Sequence, residues 1–230
     1  MHGGVTSLSN LVPPVDLNAR DSVALVVIDM QYHDAWPDRG VTAALERVNP
    51  GSMSYFSDRL RQTTIPSIQQ LLAHFRVSGL PVIHLVLGSD YRDLRDCPPR
   101  FRTWTRNLEA LTGLDDVWWA GNSDFSIIEP LAPLPEETVI QKSTNGAFNG
   151  SRFNDFLRQS GIDTLVLTGV VTSACVETTA RDAADRGYNC ALVSDACADY
   201  DPDMHEATMR AFALNFGQVQ LSADDIIRQM

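Results

Sequence analysis

The chain lacks the features that mark membrane, secreted and nucleic-acid-binding proteins. No apolar run approaches the roughly 18 residues that a membrane-spanning helix needs. Only 18 Lys and Arg residues stand against 29 Asp and Glu residues, so the net charge of −11 repels phosphate backbones. The first 21 residues contain no basic segment followed by an apolar one, as a secretory signal would. These absences predict a cytoplasmic protein with no membrane partner and no nucleic-acid partner.

The chain also lacks cysteine pairs and nucleotide-binding glycine motifs. None of the four cysteines forms a C-x-x-C pair, and a chain of 230 residues with 44% hydrophobic content does not need disulfides to hold its core. Neither G-x-G-x-x-G nor G-x-x-x-x-G-K-[ST] occurs, which argues against nucleotide binding. We therefore expect free thiols, one of which is a candidate nucleophile.

Metal-ligand spacing is missing as well. His33, His74, His84 and His205 do not recur at the short intervals that bring ligands together on one face of an element. We interpret them as surface or satisfied core histidines, and the sequence predicts no catalytic metal and no cofactor.

What is present is an alternation of short β-branched runs and amphipathic segments. The runs predict strands buried on both faces, at 23–28, 81–87, 138–141, 164–168, 190–194 and 218–221. The amphipathic segments predict helices at 65–77, 152–159, 175–186 and 204–214. Gly79, Gly161 and Gly187 follow three of these helices, where a left-handed residue ends a helix. The alternation predicts one α/β domain, 22–230, with a parallel sheet and helices on both faces.

Two segments depart from this pattern. Residues 1–21 lack periodicity and are interpreted as an N-terminal arm that packs on the body or on a neighbouring subunit. Residues 88–135 contain Pro98-Pro99 and three of the four tryptophans, and they are predicted to be irregular with short helical pieces. A connection this long inside a compact domain is usually a functional loop.

Three reactive residue types follow predicted strands. Asp29 closes the run ALVVI, Lys142 closes TVIQ, and Cys175 follows TLVLT through a six-residue turn. In a doubly wound sheet ligands bind beyond the carboxyl ends of the strands, so these three residues are expected at one rim. Each taken alone has an ordinary structural reading: a turn cap, a solvated amine and an inert thiol.

Together the three residues form an amide-cleaving set. A cysteine at a helix N-terminus near a lysine has a lowered pKa and supplies a thiolate nucleophile. Asp29 is expected to take the thiol proton and return it to a leaving amine, while Lys142 holds the ion pair. Cys97, Cys190 and Cys197 are interpreted as structural, since they lie in a Pro-rich loop, in a strand run and near Asp195.

The segments VVIDMQ, VIQKSTNGAF and TGVVTSACVETTARDAADRGY resemble, in order and spacing, those of the isochorismatase-like cysteine hydrolases. The resemblance implies a doubly wound three-layer sandwich whose six-stranded parallel sheet has the order 3-2-1-4-5-6. It also implies an Asp-Lys-Cys triad at Asp29, Lys142 and Cys175. A cis peptide between Val170 and Val171 and an oxyanion hole formed by the amides of Val171 and Cys175 are further implied. Members of the family are commonly homo-oligomers, which implies a dimer or tetramer.

The resemblance also separates two branches. Nicotinamidases of this superfamily carry a metal site with a D-x-H motif, whereas this chain reads GSDYRDLRDCPP after its second run, without histidine. It is therefore more similar to the metal-independent branch that acts on small ureido and amide compounds. The expected function is a cysteine amidohydrolase that cleaves a C–N bond of such a substrate through a thioester. A nicotinamidase-like or other simple amidase, and a binding member without turnover, remain the alternatives.

Seven residues near these segments are candidates for substrate binding. An arginine suits a substrate carboxylate, although the five arginines between 92 and 106 also have acidic neighbours with which to pair. Aromatic and amide side chains beside the motif segments are expected to wall the site. The candidates are Gln31, Tyr32, Trp36, Arg92, Trp119, Asn145 and Phe148.

Overall fold

The computed structural model describes residues 12–18 and 22–230 of the chain. Six strands form one sheet in the order β3-β2-β1-β4-β5-β6, and every neighbouring pair is parallel. The strands are β1 (Val23–Ile28), β2 (Val82–Leu87), β3 (Thr138–Lys142), β4 (Thr164–Val170), β5 (Asn189–Ala198) and β6 (Gln218–Gln220). This arrangement confirms the predicted fold and strand order.

Helices cover both faces of the sheet. In the described residues they are α1 (Tyr32–Ala35), α2 (Gly40–Val48), α3 (Ser54–Arg59), α4 (Ile65–Val77), α5 (Pro99–Thr112), α6 (Phe153–Gln159), α7 (Glu177–Asp185), α8 (Pro202–Asn215) and α9 (Ala223–Gln229). Two π-helical turns, Leu60–Thr64 and Thr172–Val176, precede α4 and α7. No helix in this part of the chain is long and apolar enough to cross a bilayer.

Alternate residues of β1 separate the two cores. Ala24, Val26 and Ile28 join one buried cluster, together with residues of α6, α7 and α8. Val23, Leu25 and Val27 join the other cluster, together with residues of α3, α4 and α9. Successive side chains of a strand point to opposite faces, so a fully apolar run such as VALVVI suits a strand covered on both sides. The three-layer sandwich follows from that burial.

The helix ends agree with the glycine pattern. Gly79, Gly161 and Gly187 have φ values of 67°, 67° and 92°, which confirms the left-handed ends predicted for α4, α6 and α7. Strand β5 is longer than predicted: it continues through Ser194 and Asp195 to Ala198, with a register shift opposite β4 between Leu167 and Gly169. The polar pair interrupts the apolar pattern, which is why the sequence predicted a shorter strand.

The predicted irregularity of residues 88–135 is wrong in its central part. Pro99–Thr112 forms a regular 14-residue helix, α5, that ends at Gly113 with φ 72°. Proline suits the first turn of a helix, because its missing N–H has no intrahelical acceptor there and its φ is already helical. The Pro98-Pro99 pair therefore marks the start of a helix rather than a loop.

Part of the predicted N-terminal arm packs on the domain. Leu17 is buried in the second core cluster, and the backbone N–H of Val15 donates to Oε1 of Gln218 at 3.3 Å. Residues 1–11 and 19–21 of the predicted arm lie outside the described residues.

Candidate active site

The structure brings Asp29 and Lys142 together at the carboxyl edge of the sheet. Asp29 directly follows β1, and Lys142 is the last residue of β3. Lys142 Nζ lies 2.7 Å from Asp29 Oδ2, and both side chains are fully buried. The amine also donates to the carbonyl of Thr144 at 3.1 Å. The predicted ion pair therefore exists, with no access to bulk water.

Burial and the neighbouring charges shift the pKa values of both groups. Loss of solvent raises the pKa of Asp29 above its ordinary value, even though Lys142 acts in the opposite direction. Burial opposes the charge on Lys142, but Asp29 and Cys175 outweigh it and raise the pKa of the amine. Asp29 Oδ1 is buried and makes no hydrogen bond to any described residue. Asp29 is thus a stronger base than an exposed carboxylate and has one oxygen unused.

Cys175 lies in the π-helical turn between β4 and α7, 6% exposed. Its thiol is close enough to affect the pKa of both Asp29 and Lys142, and Sγ lies 3.9 Å from Asn145 Oδ1. Burial, followed by the Asp29 carboxylate, raises the pKa of Cys175 well above its ordinary value.

The predicted lowering of the Cys175 pKa is therefore wrong. Lys142 does favour the thiolate, but its charge is already paired with Asp29, and desolvation of the thiolate outweighs it. The raised pKa values of Cys175 and Asp29 favour a protonated thiol beside a carboxylate that is more basic than usual.

The turn that carries Cys175 has the backbone expected of it. The peptide between Val170 and Val171 is cis, as the resemblance implied. Gly169 has φ 115°, and a Cβ there would lie 2.1 Å from the carbonyl oxygen of Ile28, so only glycine lets β4 run this close to the end of β1. Val171 and Cys175 both line the cavity described next, and their role as an oxyanion hole stays a prediction.

A cavity of about 560 Å³ opens above the thiol. Its walls come from the carboxyl ends of the strands, from α5 and from the turns before α6 and α7. The lining residues are Asp34, Leu87, Pro98, Arg100, Phe101, Trp104, Trp118, Thr144, Asn145, Gly146, Asn149, Val171, Ala174, Cys175, Thr178 and Tyr200. Of the seven substrate-binding candidates, only Asn145 is among them.

The Gln31 side chain makes hydrogen bonds to two neighbouring segments of the chain. Its side-chain amide donates to the carbonyls of Leu87 and Phe125 at 3.3 and 2.7 Å, and its oxygen accepts from the N–H of Leu87 at 2.7 Å. Tyr32 and Trp36 pack on each other at 5.7 Å, with Tyr32 Oη accepting from the N–H of Glu129. None of the three side chains is in the cavity lining, and their contact with a substrate stays a prediction.

The remaining three candidates also lie outside the cavity. The guanidinium of Arg92 stacks over Trp119 at 4.2 Å and faces Asp116, with an Nε to Oδ2 distance of 3.6 Å. Phe148 packs against Phe153 at 5.0 Å within the core. Arg92 and Trp119 pack on each other and Phe148 is a core residue, and their contact with a substrate stays a prediction.

The sequence reasoning missed most of the wall. Arg100, Phe101 and Trp104 lie on α5, and Phe101 and Trp104 each pack against Trp118 at 5.3 Å. The apolar positions 101, 104 and 108 recur at helical spacing, and that signal would have placed them on one face. Arg100, one of the five clustered arginines, takes the place at the cavity that was assigned to Arg92.

The other thiols and the histidines behave as structural groups. The pKa values of Cys97, Cys190 and Cys197 are raised to about 12, mainly by burial, and all four cysteines are free. His205 donates or accepts within a buried network with Thr172, Ser194 and Arg59. No group of three His, Cys, Asp or Glu side chains suited to a metal ion occurs in 12–18 and 22–230.

Comparison with known proteins places this arrangement in a family. The model of the isochorismatase domain matches residues 23–224, nearly the whole chain. The chain belongs to the isochorismatase family. Ureidoacrylate amidohydrolase of Variovorax paradoxus is 30% identical over 222 residues, which cover 94% of this chain and 83% of that protein. N-carbamoylsarcosine amidase of Arthrobacter is 27% identical over 169 residues, which cover 74% of this chain and 62% of that amidase.

Solved isochorismatase-family structures agree with the fold. A cysteine hydrolase from Pseudomonas syringae pv. phaseolicola superposes with a TM-score of 0.75 at 25% identity, covering 95% of each chain. N-carbamoylsarcosine amidase from Thermoplasma acidophilum superposes with a TM-score of 0.62 at 26% identity, covering 88% of this chain and 97% of that one. The six-stranded sheet and its helices are thus the isochorismatase fold.

Proposed function

We propose that this isochorismatase-family protein is a cysteine-dependent amidohydrolase. Its substrate is a small ureido, carbamoyl or linear amide compound, and it releases ammonia or an amine. The observation that carries the proposal is the buried Asp29–Lys142 pair beside the Cys175 thiol, at the base of the cavity. The relatives named as ureidoacrylate and N-carbamoylsarcosine amidohydrolases support the substrate class.

The raised pKa of Asp29 suits the first proton transfer. Asp29 accepts the thiol proton of Cys175 as the sulfur attacks the substrate carbonyl, and a C–S bond forms. The raised pKa of the Cys175 thiol favours transfer of its proton to Asp29 as the sulfur attacks. Lys142 stays charged and offsets the negative charge shared by Asp29 and Cys175.

The second half of the reaction returns the proton. As the C–N bond breaks, Asp29 gives its proton to the leaving nitrogen, and a thioester on Cys175 remains. Water then attacks the thioester carbonyl and forms a C–O bond as Asp29 takes one of its protons. The C–S bond breaks, Asp29 returns that proton to the Cys175 sulfur, and the acid product leaves. Amide donors at Val171 and Cys175 would stabilise the oxyanion in both tetrahedral states, and one such donor typically contributes about 2.7–4 kcal/mol.

The test is ammonia release by the purified, chelator-treated protein. The panel contains ureidoacrylate, biuret, N-carbamoyl amino acids, short amides and nicotinamide. Cys175→Ala should abolish turnover without changing the unfolding midpoint by more than a small amount, and Cys197→Ala, at a buried thiol of β5, serves as the matched control. Turnover that survives Cys175→Ala would refute the mechanism, and exclusive turnover of nicotinamide would refute the substrate class.

A further inference from the structure

The cavity contains a second carboxylate that the proposed reaction does not use. Asp34, in the short helix α1, lines the cavity together with Cys175 and Tyr200, and its side chain is 10% exposed. Its charge is close enough to raise the pKa values of Asp29, Cys175 and Tyr200. Asp34 therefore lies within electrostatic reach of the groups proposed to react.

This carboxylate lacks the partners that a buried charge normally has. Among the described residues no donor makes a hydrogen bond to its oxygens, and the nearest basic group is His33 Nδ1, 3.4 Å from Oδ2. That nitrogen is itself buried and makes no hydrogen bond within the described chain. Buried polar groups without partners are uncommon and costly, so they call for a specific explanation.

The cations near the cavity also leave Asp34 without a counter-ion. Lys142 is committed to Asp29 at 2.7 Å, and the only guanidinium in the lining, that of Arg100, belongs to an exposed side chain. The negative charge of Asp34 is therefore not balanced by a buried cation of the described chain. A ligand with N–H donors would supply both the hydrogen bonds and the compensating positive potential.

We infer that Asp34 determines specificity by accepting hydrogen bonds from an N–H-rich planar group of the substrate: a ureido, amidino or guanidino group. This inference rests on the proposed function for the reaction itself. It deepens that proposal by naming the group of the substrate that Asp34 recognises. Compounds with an aliphatic group or an N,N-dialkyl group in that place are excluded, because they leave the carboxylate desolvated and unpaired.

Binding of small probes tests the inference without turnover. Trp104 and Trp118 line the same cavity, so tryptophan fluorescence reports occupancy. The charged probe is methylguanidinium, the neutral N–H probe is methylurea, and tetramethylammonium carries charge without N–H donors. We expect methylguanidinium to bind best and methylurea to bind more tightly than tetramethylammonium.

Asp34→Asn keeps the shape and removes the charge. It should weaken methylguanidinium binding about 10- to 100-fold, the usual loss for a hydrogen bond to a charged group. Asp58→Asn, at an exposed carboxylate of α3, is the matched control and should bind as the wild type does. Equal affinity in wild type and Asp34→Asn, or tetramethylammonium binding as tightly as methylguanidinium, would overturn the inference.

Two further readouts separate a structural role from a specificity role. If Asp34 served only to hold His33, Asp34→Asn would lower the urea midpoint while leaving probe affinity unchanged, which contradicts the inference. Should Asp34→Asn fail to fold, Asp34→Glu retains the charge but moves it by one methylene, and it should weaken binding several-fold. Unchanged binding in Asp34→Glu would then count against the inference.

The kinetic experiment distinguishes this inference from the reaction. Each ureido compound that is turned over is compared with its N-methyl counterpart, in which a methyl group replaces the hydrogen of an N–H. Wild type should prefer the N–H compound, and Asp34→Asn should lose that preference mainly through KM. If the protein turns over no compound of the panel but still binds methylguanidinium through Asp34, the proposed reaction alone is refuted. Turnover with a preference that Asp34→Asn leaves intact refutes the Asp34 inference alone.

Discussion

A carboxylate with a buried side chain lies beside each end of strand β3, and the two differ in how completely they are hydrogen-bonded: Glu137 precedes the strand, and Asp29, which follows β1, pairs with Lys142 at its carboxyl end. At the amino end, Glu137 accepts from Arg76 Nε and Nη2 at 2.7 and 3.0 Å, from His84 Nε2 at 3.0 Å and from the N–H of Leu134 at 2.9 Å. At the carboxyl end, Asp29 accepts from Lys142 at 2.7 Å, and the Cys175 thiol is the other described side chain within hydrogen-bonding reach of it.

The pKa values follow from this difference. Burial opposes the charge on Glu137, but its hydrogen bonds outweigh burial and lower the pKa to about 2. For Asp29 burial prevails over a single lysine, and the pKa rises. A saturated carboxylate is a stable anion and a poor base, whereas an unsaturated one accepts a proton readily. We therefore expect the amino end of β3 to serve stability and the carboxyl end to serve the proposed reaction.

The largest expected effect is on the carboxyl end. Asp29→Asn removes the base and should lower kcat by about 10²–10⁴-fold, the usual contribution of general acid-base catalysis. It also leaves Lys142 buried without its counter-ion, so the free energy of unfolding should fall by about 3–5 kcal/mol. Steady-state kinetics and urea unfolding measure the two losses. An Asp29→Asn protein with wild-type kcat would contradict the assignment of the base.

The matched change at the amino end should affect only stability. Glu137→Gln weakens charge-assisted hydrogen bonds from Arg76 and His84, and the free energy of unfolding should fall by about 1–3 kcal/mol. The kcat on a substrate from the ammonia-release panel should remain within a factor of two of wild type. A large loss of kcat in Glu137→Gln would contradict the assignment of a purely stabilising role to Glu137.

Acid titration should sharpen the same contrast. The folded pKa of Glu137, about 2, lies below its ordinary value of 4.5, so its stabilising contribution is present above pH 4.5 and is lost as the pH falls towards 2. The difference in unfolding free energy between wild type and Glu137→Gln should therefore shrink over that interval. Urea unfolding at several pH values measures it, and a difference independent of pH would argue against the ionic form of Glu137.

The smallest predicted effect concerns the rim of the carboxyl end. Arg100 lines the cavity, whereas Arg92 stacks on Trp119 outside it. With a carboxylate-bearing substrate, Arg100→Met should raise KM about fivefold and leave kcat nearly unchanged, since an exposed guanidinium contributes about 1 kcal/mol. Arg92→Met is the control and should leave KM unchanged. A larger rise in KM from Arg92→Met than from Arg100→Met would indicate that Arg92 contacts the substrate.

The sequence was sufficient for the sheet and for the reactive residues, and insufficient for the cavity wall. Buried β-branched runs locate strands directly, and parallel strands bring the residues after them to one edge, which placed Asp29, Lys142 and Cys175. The direction of a side chain depends on its element. Gln31 and Trp119 lie next to motif segments but point elsewhere, and Phe101 and Trp104 reach the cavity only because Pro99 begins a helix. The pKa of Cys175 also depends on burial, which spacing does not reveal.

The Gln31 amide joins parts of the chain that are far apart in sequence. Its partners Leu87 and Phe125 are 56 and 94 residues away, so the support beneath the cavity is built from non-local contacts. Such contacts require closure of long loops, and proteins rich in them fold slowly. In a refolding experiment, recovery of enzymatic activity should therefore lag behind recovery of helical signal, and Gln31→Ala should lengthen that lag.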